Sequence, residues 1–271
     1  MLIMNFSKIY QKEALAQKLK EKNCQAEELD CTAMTGTDCY CDDFAAENLQ
    51  HLMEQHKLTD IHFIDSGNYH YVSKLWTDRI QQPFALVVLD HHTDMQPPAF
   101  GDILSCGGWI RAALEQNANL KQVLLVGVAE DLVDELKQTE ASLLTETSPI
   151  TEASFIYEER VTFLTAGMIE RLENQQLYEQ IEQILSVQGL PVYLSVDKDV
   201  LSAAQVQTNW DQGGMKTDRL LVLVQQLQKN FRLLGMDVCG EPRADCVCEA
   251  ELCQSAEINC LLAGIWTGQL E

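Results

Sequence analysis

Short apolar runs recur along the chain at Ile61–Asp65 (IHFID), Ala85–Asp90 (ALVVLD), Gln122–Gly127 (QVLLVG), Val161–Leu164 (VTFL), Pro191–Val196 (PVYLSV) and Leu233–Val238 (LLGMDV). They do not alternate between apolar and polar positions, so each predicts a strand buried on both faces. Helical patterns separate them, at Phe44–His56, Ile110–Gln116, Ala166–Val187 and Thr217–Asn230. No repeat, low-complexity tract or Pro/Gly/Ser-rich linker divides the chain. Strands alternating with helices predict a single α/β domain over residues 1–271, a three-layer α/β/α arrangement around a mostly parallel sheet. Right-handed crossovers then bring every strand's carboxyl end, and with it the ligand site, to one edge.

At 271 residues and 46% hydrophobic, the chain can build a full core, and wholesale disorder is excluded. Nineteen Lys+Arg against 41 Asp+Glu give a net charge of −22. That balance argues against a nucleic-acid surface, which needs clustered basic residues, and favours cationic ligands. No stretch approaches the ~18 apolar residues that span a bilayer. The start, Met1 to Lys22, lacks the basic region, apolar core and cleavage site of a secretory signal. The expectation is a cytoplasmic protein with no membrane partner and ten reduced cysteines. Neither Cys39/Cys41 nor Cys246/Cys248 is a C-x-x-C pair. Cys246, Cys253 and Cys260 fall seven apart in a predicted helix, on a face expected to meet the core.

The candidate chemistry lies where the strands end. IHFID runs into Ser66-Gly67-Asn68-Tyr69-His70, ALVVLD into Asp90-His91-His92-Thr93-Asp94, and PVYLSV into Ser195-Val196-Asp197-Lys198-Asp199. On an extended chain Asp90, His92 and Asp94 point one way, as do Asp197 and Asp199, while His91, Thr93 and Lys198 face elsewhere. Four carboxylates meeting at one sheet edge repel strongly unless cations intervene. Two divalent ions would cancel their charge, and imidazole with carboxylate favours Mn, Fe, Ni or Zn. Such a pair generates a nucleophile from water near neutral pH.

The ordered set resembles the ureohydrolase superfamily of arginases, agmatinases and formimidoylglutamases. That superfamily carries G-x-x-H, D-A-H-x-D, S-x-D-x-D and a late strand closing on a glutamate. Here these match Gly67–His70, Asp90–Asp94, Ser195–Asp199 and Gly235–Glu241. The resemblance implies the arginase-type fold and a binuclear centre of two divalent metal ions, most commonly manganese. His70, Asp90, Asp94 and Asp197 would hold one ion, and Asp90, His92, Asp197 and Asp199 the other, with Asp90 and Asp197 bridging. It further implies that Asp94 steers the proton and that Glu241 binds the substrate's amidine or guanidine nitrogens.

The chain departs from the pattern in several places. His91 replaces the alanine, the Asp-Pro after S-x-D-x-D is absent, and no histidine follows position 92. Glu241 lies four residues beyond Asp237 where the family has three. Cys106 stands near the family's proton-shuttling histidine and is expected to line the pocket, with Trp210 as a wall. The expected partner is therefore a small cationic amidine or guanidino substrate other than arginine, such as an agmatine-like or formimino compound; a homo-oligomer is left open. The reading is a metallohydrolase of a linear amidine or guanidine C–N bond. The alternatives are a non-catalytic, metal-stabilised binding or regulatory descendant, and a DHH-type phosphoesterase, whose motifs come in a different order.

Overall fold

The computed structural model describes residues 1–146 and 159–269. Its strands are β1 (Leu2–Asn5), β2 (Glu27–Asp30), β3 (Tyr40–Cys41), β4 (Ile61–Phe63), β5 (Phe84–Leu89), β6 (Leu104–Ser105), β7 (Leu120–Val126), β8 (Val161–Leu164), β9 (Val192–Asp197) and β10 (Leu233–Cys239). Eight form one sheet in the order β2-β1-β4-β10-β9-β5-β7-β8, and every pairing within it is parallel. The remaining two, β3 and β6, make a small antiparallel ribbon.

The buried apolar runs show why two helical layers are needed. In β5 all six residues are buried, yet Ala85, Val87 and Leu89 join one hydrophobic cluster while Leu86 and Val88 join another. A period of two with both faces apolar demands cover on each side. One layer comprises α1 (Ile9–Glu13), α2 (Leu15–Glu21), α7 (Ala166–Glu170), α8 (Asn174–Ser186), α9 (Thr217–Asn230) and α10 (Glu249–Trp266). The other comprises α3 (Asp43–Met53), α4 (Val72–Thr77), α5 (Trp109–Gln116) and α6 (Glu130–Glu146). This is the predicted three-layer α/β/α architecture. No helix among the described residues is long and apolar enough to cross a membrane.

Some expectations shift. The helix expected over 166–187 breaks after Glu170, because Glu173 caps a new helix in a reciprocal box with Gln176. All ten cysteines are free thiols. Cys246, Cys253 and Cys260 do not share a core face: Cys246 precedes the helix, Cys246 and Cys253 are exposed, and only Cys260 is buried.

Consecutive strands β4 and β5 are parted in the sheet by β10 and β9. Their carboxyl ends therefore surround a crevice at the middle of one edge, the usual ligand position in such sheets.

His62 lies behind this edge, fully buried, its ring stacked 3.6 Å from that of Trp76. Nε2 donates to the Lys57 carbonyl at 2.9 Å, and burial holds the pKa down at about 3 from a usual 6.5. The unfolded chain then binds a proton that the folded chain refuses. Stability from this residue is full above about pH 6.5 and is lost progressively as pH falls towards 3. His62→Phe should therefore flatten the decline in Tm between about pH 7 and pH 4.5. Parallel profiles for the two proteins would show that His62 is not held neutral.

Candidate metal centre

Each of three strand ends delivers its polar side chains by a different local device. After β4, Asp65 takes a left-handed conformation (φ 51°) and accepts hydrogen bonds from the Phe6, Ser7 and Ser66 amides. The turn that follows, Gly67–Tyr69, presents His70. After β5 the chain leaves the sheet at Asp90 and reverses at Asp94, also left-handed (φ 48°). After β9, Asp197 accepts from the Asp199 amide at 2.9 Å and so caps a tight turn over Lys198–Val200. The expected convergence is present, but Asp94 and Asp199 reach it through turns rather than along an extended chain.

His70 Nδ1 lies 3.3 Å from Asp90 Oδ2, 2.9 Å from Asp94 Oδ2 and 3.5 Å from Asp197 Oδ2. His92 Nδ1 lies 2.9 Å from Asp199 Oδ2 and 3.5 Å from Asp90 Oδ1. The two oxygens of Asp90 thus face different imidazoles. His91 is partly buried, its ring edge-on to His92 at 5.3 Å, and it does not line the cavity.

All four aspartates are buried, so proximity decides which of them holds charge. Burial and Asp90 raise Asp94 to about 6. Burial with Asp197 and Asp90 raises Asp199 well above the usual range. Burial opposes charging His92, but Asp199 and Asp90 win and push it to about 12. Positive charge at the cluster's centre, from protons or from a cation, would relieve this repulsion.

Supporting residues orient the ligands. His70 Nε2 lies 2.9 Å from Ser195 Oγ, which itself donates to Asp237 at 2.6 Å. Ser195 is therefore the acceptor from Nε2–H, which leaves Nδ1 as the nitrogen turned to the carboxylates. Trp109, fully buried, donates Nε1–H to Asp94 Oδ2 at 2.6 Å. Neither Trp109 nor Asp237 stood out as a site residue in the sequence. Asp237 pairs in register with Ser195 and Cys239 with Asp197, a period-two match on neighbouring strands that could have exposed both members of β10.

Over the cluster opens a cavity of about 490 Å³, lined by His70, His92 and all four aspartates. Among the described residues no lysine or arginine lines it. Trp210 forms one wall, as expected: its ring lies 6.1 Å from that of His92, and Nε1 donates to Asn68 Oδ1 at 2.9 Å. Cys106 lines the cavity, and burial with Asp94 raises its thiol pKa. The only carboxylate on the lining outside the cluster, among the described residues, is exposed Glu135 of α6.

Glu241 corrects an expectation. It is fully buried and does not line the cavity. Its carboxylate pairs with Lys198 Nζ, accepts from Ser255 Oγ, and accepts from Asn259 Nδ2 at 2.8 Å. The cause lies one residue earlier. Gly240 has φ 87°, and a Cβ there would come within 2.4 Å of Asp197 Oδ1 and 2.7 Å of the Lys198 amide. No side chain fits at that position, and the next residue turns inward to neutralise Lys198.

The residues present suit divalent cations: two imidazoles and four carboxylates, with Asp90 Oδ2 buried and lacking an aligned hydrogen-bond donor. The arginase family model matches residues 62–245. The chain belongs to the arginase family. An uncharacterized protein of Thermotoga maritima is 29% identical over 181 residues, 66% of this chain and 57% of that protein. The match thus spans less than two thirds of that relative's length. Formimidoylglutamase from Bacillus subtilis superposes with a TM-score of 0.69 at 15% identity, over 100% of this chain and 86% of its own. Arginase from Bacillus caldovelox gives 0.68 at 14%, over 98% and 97%. A hypothetical agmatinase from Burkholderia thailandensis gives 0.64 at 18%, over 99% and 86%. These likenesses establish the arginase-like fold, in a family of hydrolases acting on C–N bonds.

Removing one partner of a buried ion pair leaves the other uncompensated. Glu241→Gln should therefore cost about 3–5 kcal/mol of stability, and adding Lys198→Met should recover part of it. Urea denaturation of the single and double variants checks this. Unchanged stability with a raised KM would return Glu241 to substrate binding.

Proposed function

We propose that the chain is a hydrolase of a C–N bond in a linear amidine or guanidino compound, dependent on two divalent ions. The observation that carries this reading is Asp90, whose two oxygens face His70 and His92 separately, as a bridging ligand's would. His70, Asp90, Asp94 and Asp197 would hold one ion; Asp90, His92, Asp197 and Asp199 would hold the other. Manganese is the family's usual metal. When bound, the ions would ionise a water near neutral pH and stabilise negative charge at the reacting carbon.

The protein's own residues do the rest. Asp94, held by the Trp109 indole N–H and lining the cavity, is placed to carry a proton between the nucleophile and the departing nitrogen. The absence of basic residues among the described residues of the lining favours a cationic substrate. Glu241 lies outside the cavity; among the described residues, Glu135 is the lining carboxylate left over by the two ions to meet that cation. Trp210, Tyr40, Pro97, Ala99, Leu132 and Leu136 supply an apolar wall, suited to a substrate with a short hydrocarbon tail.

Withdrawal of Glu241 from the cavity favours one second reading, a metal-stabilised binding protein without turnover. Ammonia or urea release from a panel of guanidino and formimino compounds separates the two. Turnover of at least one compound is expected, and none across the panel would sink the enzyme reading.

Elemental analysis should find about two divalent ions per chain, with affinity falling as pH drops because the ligands take protons. A loading near zero, with stability unaffected by EDTA, would contradict the centre. Asp197→Asn should lower loading more than Asp199→Asn, since a bridging ligand serves both ions. Cys106→Ser should change kcat by less than about tenfold, some 1.4 kcal/mol of barrier. A thousandfold loss with metal retained would make that thiol part of the chemistry.

A further inference from the structure

We propose that Cys239 is a thiolate ligand of the ion held by His70, which biases the centre toward zinc, cobalt or iron(II) and away from manganese. The inference rests on the reading of the cluster as a metal centre and adds a donor to which the resemblance assigns no metal role. Parallel register pairs Cys239 of β10 with Asp197 of β9, so the two side chains stand together on one face of the sheet. Cys239 is fully buried, and its Sγ lies 2.9 Å from Asp197 Oδ2. Ligand atoms of Cys239, Asp197 and His70 all fall within 4.8 Å of one another.

A second observation concerns the same imidazole. Asp90 Oδ2, buried and without an aligned donor, lies 3.3 Å from Nδ1 of the same His70 ring. A buried acceptor left this way is costly unless a cation meets it.

The spacing suits shared ligation. A thiolate about 2.3 Å and a carboxylate oxygen about 2.1 Å from one ion, at right angles, stand about 3.1 Å apart. Cys239 borders a hydrophobic cluster as ordinary buried cysteines do, but its sulfur also faces a carboxylate and an imidazole. On ligation the S–H proton leaves to solvent as the sulfur–metal bond forms. Thiolate donors favour softer ions than manganese.

The test uses the full-length, metal-stripped protein loaded with cobalt(II) alone. A thiolate ligand gives an intense near-ultraviolet sulfur-to-cobalt band. The band should appear in the wild type, persist in Cys39→Ser and Cys106→Ser, and vanish in Cys239→Ser. In competition, Cys239→Ser should reduce the preference for zinc over manganese at least tenfold. X-ray absorption of the zinc-loaded wild type needs no variant and should show a sulfur neighbour at about 2.3 Å. A shell of nitrogen and oxygen alone, or a band that survives Cys239→Ser, overturns the assignment and leaves Cys239 a hydrogen-bond donor to Asp197. A sulfur neighbour without turnover on any substrate would sink the hydrolase reading and leave this inference standing; turnover with a sulfur-free shell would do the reverse.

Discussion

Four aspartates forced together at the carboxyl edge of a sheet repel one another, and that repulsion organises much of what surrounds them. Asp90, Asp94, Asp197 and Asp199 are buried within reach of only two imidazoles. Such a cluster holds together only with positive charge at its centre, from protons or from metal ions. The fold accommodates it by spending local conformational freedom nearby. Asp94 accepts a left-handed backbone, Trp109 donates to the Asp94 oxygen that faces His70, Ser195 fixes the outer side of His70, and Asp197 caps the turn that brings Asp199 inward.

The same edge carries a second charge arrangement, back to back with the first. Between Asp197 and Asp199, Lys198 points the opposite way, into the helical layer, where Glu241, Ser255 and Asn259 enclose its ammonium group. Glu13 joins this network through Asn259, and burial and Glu241 raise its pKa well above the usual carboxylate value. Gly240 is the hinge between the two arrangements. Its backbone presses so close to Asp197 that the chain has no room for a side chain there. The residues of the aspartate cluster and those that face Lys198 are thereby sorted to opposite sides of one strand pair.

Much of this was legible in the amino-acid order because it is local. A strand buried on both faces is apolar over most of its length, and β5 (FALVVL) and the Val123–Val126 run of β7 read that way directly. Polar clusters such as Asp90–Asp94 have no packing reason to follow such a strand, so they announce the site. What escaped the sequence depends on tertiary context. β2 reads EELD and is mostly exposed, an edge strand whose charges disguise it. β1 is a four-residue strand at the very start, and the two-residue ribbon of β3 and β6 has no periodicity to read. The inward turn of Glu241 depends on the contact between Gly240 and Asp197, and the proximity of Cys239 on strand register; spacing along one chain segment reports neither.

The central claim is that Asp90 and Asp197 bridge two cations. The most direct measurement is anomalous diffraction from crystals of the full chain grown with manganese, zinc or cobalt, each recorded at its own absorption edge. The account predicts two peaks about 3.5 Å apart in contact with Asp90 and Asp197, one beside His70 and the other beside His92. A single peak, or peaks that leave either aspartate uncoordinated, would contradict it.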